Sequence, residues 1–547
     1  MHLWMIVVRL ALPSMLIVLG MCGGALPAVV TARTVQPANR ASVDLDAASI
    51  DLWVDPLHGS DDADGASRAT ALRTITAAWQ RIPAGAQLQS SGYRILLVAG
   101  DYAEGDYPVY WEDRHGTAEH PIRIEAADGT RSARLSGFIN MFDIDHVVLR
   151  GLAVANQGDV FHCEQCRHVT IDDSAMDGAR QAHETIKINQ SQYITIENSD
   201  IQGSYENAID FVAVQYATIR HNRIHGADDW CAYVKGGSAY VSVEANEIFD
   251  CGTGGFTAGQ GTGFEYMTSP WLHYEAYAVR AVNNIIHDTD GAGLGVNGGY
   301  DILFAYNTLY RVGARSHLLE VVYGGRSCDG DSAGCQTHRA QGGWGPIQVG
   351  DSEPIPNRNV YLYNNLVVNP TGYQSQWQHL TIHGASVPGV GSQIPSPAHT
   401  DDNLQIRGNV LWNGPADHAL GLGEDSGCLP ANPTCNAVQL VADNAINTVE
   451  PALADPANGN FRPADSAVLP APLPIPDFPA WDAFTPAVPQ GLPGNAVVLD
   501  YTGNARDGAD QVGAFGSGDA PPPPTPSATG WLYLPQIRIG SQQGESR

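Results

Sequence analysis

The chain has little positive charge and almost no lysine. Of its 29 basic residues only two, Lys187 and Lys235, are lysine, and 58 acidic residues bring the formal net charge to -29. That balance argues against nucleic acid as a partner, because a polyanion needs a basic surface. Another anionic polymer is admitted only where local Lys, Arg or a bound cation offsets the acids. Calcium suits such a surface, since carboxylate oxygens are its preferred ligands. Long apolar runs are scarce too. The candidate is residues 10–30, which follow Arg9, contain Pro13, Gly20, Gly23, Gly24 and Pro27, and end at Val30-Thr31-Ala32. This reads as a signal peptide over residues 1–32 rather than a membrane span. A secreted or cell-surface protein with no stable span after cleavage is expected.

Nine cysteines are present, and removing residues 1–32 leaves eight. Cys328/Cys335 and Cys428/Cys435 each bracket a short Gly- or Pro-containing loop. Cys231 and Cys251 lie nearly one repeat apart. Cys163 and Cys166, flanked by His162 and His168, permit either a disulfide or a zinc site, and export favours the disulfide.

A repeat dominates from residue 146 onward. It begins as His168-Val-Thr-Ile-Asp-Asp-Ser174, Tyr193-Ile-Thr-Ile-Glu-Asn-Ser199 and Tyr216-Ala-Thr-Ile-Arg-His-Asn222, and continues from Tyr240, Tyr277, Asp301, Asn359 and Asn403. The first five units start 25, 23, 24 and 37 residues apart. A unit this short cannot bury its apolar face alone and must stack on its neighbours. The seventh position is Ser twice and then Asn222, Asn246, Asn283, Asn307, Asn365 and Asn409. Asn suits tight turns, and stacked amides can bond from coil to coil. A second strand in each coil carries inward residues Ile186, Ile209, Val234, Phe264, Leu294, Ile347 and Ile382. By period two the next residues point outward: Lys187, Asp210, Lys235, Glu265, Gly295, Gln348 and His383.

These features resemble the right-handed parallel β-helix of the pectin-lyase-like superfamily, over roughly residues 51–516. The segment from Leu52 to Asp61, followed by Leu72 to Trp79, resembles the opening of exported β-helix proteins, and residues 510–515 resemble their closing segment. The expected fold is all-β: a right-handed parallel β-helix solenoid, with a short N-terminal capping helix over residues 74–82 and an irregular C-terminal segment. Residues 33–50 read as a linker, 517–530 as a Pro-rich linker and 531–547 as a short tail. Residues 312–345 and 370–400 read as long insertions.

The outward stripe is richest between residues 183 and 273. Lys235, Lys187 and Asp210 are the candidate catalytic residues. His183, Trp230, Tyr233, Glu265, Tyr266 and His273 are expected to bind substrate. Asp210, Asp228 and Asp229 are expected to hold Ca2+. An open row of such groups suits an acidic polysaccharide, bound by a monomer. β-Elimination on a uronate polymer needs cations to neutralise the sugar carboxylate and a base for the C5 proton, commonly Lys or Arg in β-helix lyases. Lys235 is the expected base and Lys187 the holder of a neighbouring sugar. Two alternatives stand beside this reading. Asp228-Asp229-Trp230-Cys231 resembles the Asp-Asp-Cys segment of polygalacturonase-like glycoside hydrolases, although Trp230 is inserted and Asn207 replaces an Asp. A hydrolase or epimerase would use a similar groove, and a non-catalytic surface polysaccharide-binding protein would use the stripe for binding alone.

The even cysteine count yields a test. Alkylation of the unreduced exported protein should label no thiol, and mass spectrometry should find a mature N-terminus near Arg33. Labelling at Cys163 and Cys166 would revive zinc.

Overall fold

The computed structural model describes residues 48–417, 420–423, 426–481, 494–506 and 510–516. The expected leader, most of the following linker, the Pro-rich linker and the tail lie outside the described residues. Among the described residues, no helix is long and apolar enough to cross a membrane.

The chain winds as a right-handed parallel β-helix, its coils joined in one large parallel sheet system. Each regular coil contributes three strand runs. One coil runs through Phe161–Glu164, Arg167–Asp172 and the start of Ala175–Asn189, whose end begins the next coil. Successive coils pair in parallel, so that Ile186 faces Ile209, and the column continues through Ala232, Phe256, Leu294, Leu319 and Leu380. All of these are buried. Rungs at ~4.8 Å spacing place each apolar residue on the one before it, and this continuous stack is the core.

The bends are set by side-chain amides. Asn222 Nδ2 donates to Asn246 Oδ1 at 3.0 Å, and the relay passes through Asn284, Asn307, Asn365 and Asn409 to Asn444. Each Oδ1 also accepts the main-chain N–H of the preceding member, and each Nδ2 also donates to a main-chain carbonyl one coil back, as Asn246 does to Ile219. Ser174 and Ser199 start the relay with hydroxyls. The sequence placed Asn283 in this column; the true member is Asn284, while Asn283 bonds Leu499 and Arg506. From Asn222 to Asn365 the residue before each member, not the member itself, takes the left-handed conformation: His221, Ala245, Asn283, Tyr306 and Asn364 all have φ between 53° and 57°. The turn therefore needs its strained residue one position before the amide that fixes it.

Both ends are closed. Helix Ile75–Trp79 buries Ile75, Ala78 and Trp79, and Thr74 Oγ1 caps it by accepting the Ala77 N–H at 3.1 Å. This is the expected capping helix, shortened at its C-terminus. At the far end helix Ala437–Asp443 places Leu440 in the core. Residues 510–515 do not close that end. They return along the flank, where Ala514 and Phe515 pack with Ile285 and Phe461. The cysteines form the four expected disulfides: 163–166, 231–251, 328–335 and 428–435.

The first long insertion is structured. It contains the rung Leu319–Val322 and the helix Ser332–Ala340. Gly261–Gly263, Gly324–Ser327 and Ser352–Ile355 form a separate three-stranded sheet that stands as a wall beside the helix.

The amide relay predicts a measurable loss. Asn246→Leu strands the Asn222 N–H and the Ile219 carbonyl in a buried bend, so denaturant unfolding should show a destabilisation of roughly 1–3 kcal/mol. An unchanged midpoint would show that the relay is not structural.

Candidate functional site

The site lies on the outer surface of the sheet that carries Ile186 inward. The residue after Ile186 must face out, and register sets its neighbours: His162, Lys187, Asp210, Tyr233, Thr257, Gly295, Glu320 and Thr381 form one column. Three expectations change here. Lys235 pairs with Val212 rather than Asp210, two residues further along the strand. Glu265 lies in a 3-10 turn, and Ile347 and Gln348 are exposed loop residues, so none of them is a rung. His383 follows the last rung, which ends at Ile382.

Asp210 is the centre of the cluster and only 1% exposed. Its Oδ2 accepts from Lys187 Nζ at 2.7 Å, and the same ammonium donates to Glu184 Oε1 at 3.0 Å. Burial opposes charge on Asp210, but Lys235 and Lys187 outweigh it and hold the carboxyl below its usual range. Burial and the Asp210 charge push Glu184 the other way, upward. Burial would lower Lys187, yet the two carboxylates raise it well above a free lysine, so Lys187 is a fixed cation. The Tyr233 hydroxyl is raised by burial and by Asp210 and keeps its proton. Lys235 Nζ sits 4.3 Å from the Tyr233 ring centroid and donates to the neutral Gln260 amide oxygen at 3.1 Å. Among the described residues Lys235 forms no ion pair.

The other expected residues divide. His183 lies at the edge of the cluster, bridging Glu184 Oε2 at 2.5 Å and Glu206 Oε2 at 3.1 Å. Trp230 is buried and lies flat across Gly254 and Gly295, where any Cβ would collide with its ring. It supports the face from within and offers no open ring to a sugar. Glu265 braces the wall by accepting the main-chain N–H groups of Asp329, Gly330 and Asp331. Tyr266, on the same turn, is exposed, and its carbonyl accepts from Gln190. His273 is buried behind the wall against Trp344, lowered to about 4 by burial and by Arg326.

Asp228 and Asp229 stand in the turn after Arg223–Ala227, and Asp228 pairs with Arg180 at 3.1 Å. Asp210 is committed to Lys187. Among the described residues, the groups of three or more metal-capable side chains that converge do not include Asp210, Asp228 and Asp229 together. These three residues do not assemble a calcium cradle.

Several contributors were not foreseen. Tyr205, exposed, stands 5.6 Å from the His183 ring and offers a flat surface beside the cluster. Arg326 and Glu275 form a fully buried ion pair at 2.5 Å. Glu275 Oε2 also accepts from Thr262 in the wall and from the N–H of Gly236, the residue after Lys235. The wall is thereby tied to the strand end that presents Lys235. Glu320, outward in the column beside Gly295, accepts from the Asn297 amide at 3.4 Å, and burial pushes it up to about 7. No periodic signal marks Arg326, Glu275 and Glu320, because they lie in or beside insertions.

Glu320 gives a pH test. Its folded pKa lies above the unfolded value, so the folded state holds a proton that the unfolded chain releases. Stability should fall as pH rises from about 4.5 to about 7 and then level off. Glu320→Gln should remove this fall, gaining about 1–3 kcal/mol on the parent across that window in denaturant unfolding at several pH values. A parallel pH dependence in both proteins would remove the titration from Glu320.

Residues 159–338 match the family model described as the right handed beta helix region. No curated protein gives a significant sequence match. Among solved structures the chain is similar to pectate lyase Pel9A, at 14% identity over 87% of this chain and 97% of that one, with a TM-score of 0.44. It is similar to the A-module of the mannuronan C-5 epimerase AlgE6 of Azotobacter vinelandii, at 12% identity over 61% and 87% of the two chains, with a TM-score of 0.39. PfbA, a surface adhesin of Streptococcus pneumoniae, gives 11% identity over 62% and 85%, with a TM-score of 0.35. The strand register and the matched family model together make this chain a right-handed parallel β-helix.

Proposed function

We propose that this protein is an exported, carbohydrate-active enzyme that cleaves an acidic polysaccharide by β-elimination, with Lys235 as the base. The observation that carries the reading is that both lysines of a strongly anionic chain act on one buried carboxylate, Lys187 through an ion pair and Lys235 through its charge alone while bonded to the neutral Gln260 amide. A uronate carboxylate laid on this face meets the fixed Lys187 cation. Tyr205 and Tyr266 offer flat rings to the neighbouring sugars. The Lys235 amine takes the C5 proton, the electrons of that bond form the C4=C5 double bond, and the C4–O bond breaks. The departing oxygen leaves as an alcohol after protonation by water. Asp210 orients Lys187 through their ion pair and leaves the Lys235 amine turned to the neutral Gln260 amide rather than to a carboxylate. Calcium enters no step, since Asp228 is held by Arg180 and Asp210 by Lys187.

An epimerase shares proton removal at C5 and differs in returning the proton to the opposite face. A hydrolase needs two carboxyls open to substrate. Glu184 and Asp210 have opposed proton affinities, as such a pair requires, but both are buried and tied to Lys187. Elimination is therefore the better fit.

A screen of uronate polysaccharides should reveal an unsaturated product by its ultraviolet absorbance. Reducing ends without that absorbance would favour hydrolysis, and binding without turnover would leave a surface-binding protein. On the active polymer Lys235→Ala should abolish turnover with little loss of binding, and Lys187→Ala should mainly weaken binding. Lys235→Arg should retain little activity, because guanidinium stays protonated. Equal, small losses in both alanine variants would reduce the lysines to structural rungs.

A further inference from the structure

The face does not end at the lysine column. Three residues beyond His162 and Lys187 the chain turns, and the turn residues Asp143, Gln165 and Gln190 stack with φ of 47°, 55° and 47°. Beyond the turn the next strand run begins, with Arg167 bridged to Gln192. Between these groups and His115 lies a cavity of about 330 Å³, at the lower end of the size range for small-molecule sites. Gln190 belongs both to this cavity and to the site already described, because its amide donates to the Tyr266 carbonyl at 3.0 Å.

What distinguishes the cavity is unspent hydrogen-bonding capacity. Elsewhere on the coils charged side chains are largely paired, as in the Arg223 bridges to Asp200 and Glu247. Here the side chains of Asp143, Gln165, Arg167 and Gln192 make no hydrogen bond or ion pair among the described residues. Two amides, a guanidinium and a carboxylate offer donors and acceptors in several directions, which is the chemistry that recognises sugar hydroxyls together with a carboxylate. Asp145, also at the cavity, is held by His146 at 2.7 Å and His168 at 2.9 Å. Those two imidazoles stack 4.0 Å apart with planes 17° from parallel, so one ion cannot lie in the plane of both rings.

We propose that this cavity is a second sugar subsite, taking a uronate unit of the same polymer after the polymer passes Lys187 and crosses the turn at Gln190. Arg167 pairs with the uronate carboxylate, and Gln165 and Gln192 bond the hydroxyls. The inference rests on the function proposed above and adds the path of the polymer and a dependence on its length. A chain of two or three sugars fills the lysine face alone, whereas a longer one reaches the cavity.

The experiment is calorimetric titration of the full chain with short (two or three residues) and long (six or more) oligomers of the active uronate polymer. The parent should bind the long oligomers more tightly. In the double variant Arg167→Ala/Gln192→Ala that advantage should fall by about tenfold, while affinity for short oligomers is kept. The single variant Arg167→Gln, which keeps most of the side-chain bulk, should lose a smaller part of it, and circular dichroism should show an unchanged fold. Long oligomers that bind both variants as tightly as the parent would overturn the subsite and leave the lyase reading intact. So would a parent with no preference for length. A parent that binds no uronate oligomer at all would overturn both.

Discussion

Coil-to-coil register is the constraint on which everything else here depends. Hydrophobic stacking alone would tolerate sliding, since one branched aliphatic residue on another is much like the next. The buried amides of Asn222, Asn246, Asn284, Asn307, Asn365 and Asn409 do not tolerate it. Each is buried and bonded to a neighbouring coil on both sides, and a slip would leave several polar groups unsatisfied at once. The relay therefore fixes which residues meet across the outer face. Lys187 lies beside Asp210, and Asp210 beside Tyr233, because of bonds made at a bend on another edge of the helix.

The face itself inverts ordinary surface logic. Exposed ion pairs contribute little, but Asp210 and Glu184 are buried, and a carboxylate there is tolerated only with its charge answered. Lys187 answers both. The second constraint is the wall. Its buried Arg326 is satisfied by Glu275 and by three main-chain carbonyls, from Leu272, His273 and Trp344. Glu275 in turn holds the N–H of Gly236. Removing either partner would strand a buried charge beside Lys235, so the position of that lysine depends on residues in an insertion far along the chain.

Much of the fold was legible. Period-two alternation, the repeated Asn and the cysteine spacing lead directly to a stacked parallel helix with four disulfides. The capping helix was legible because Thr74, Ile75, Ala78 and Trp79 carry a cap and an apolar face. The site was legible in part. Lys187 and Asp210 sit where the repeat places them, and Tyr233 was named, though for binding rather than as the phenol beside Asp210. Trp230 was named as an open ring and turned out to be a buried support. Glu265 resembled a rung because a charged residue follows an apolar one there, yet the segment is a turn braced by its own loop.

The sequence by itself determined the architecture and, in the regular coils, the side of the sheet each residue faces, because alternation and turn chemistry are local and act at every repeat. Only the tertiary structure decided which outward residues are neighbours. A shift of two residues preserves inward and outward parity, so no local pattern reveals that Lys235 pairs with Val212 rather than Asp210. Long-range packing decided the rest. The wall that reaches Lys235 through Gln260, the burial that raises Glu320 and the open side chains around Arg167 all arise where segments distant in sequence meet, and their charges and exposure are properties of that meeting.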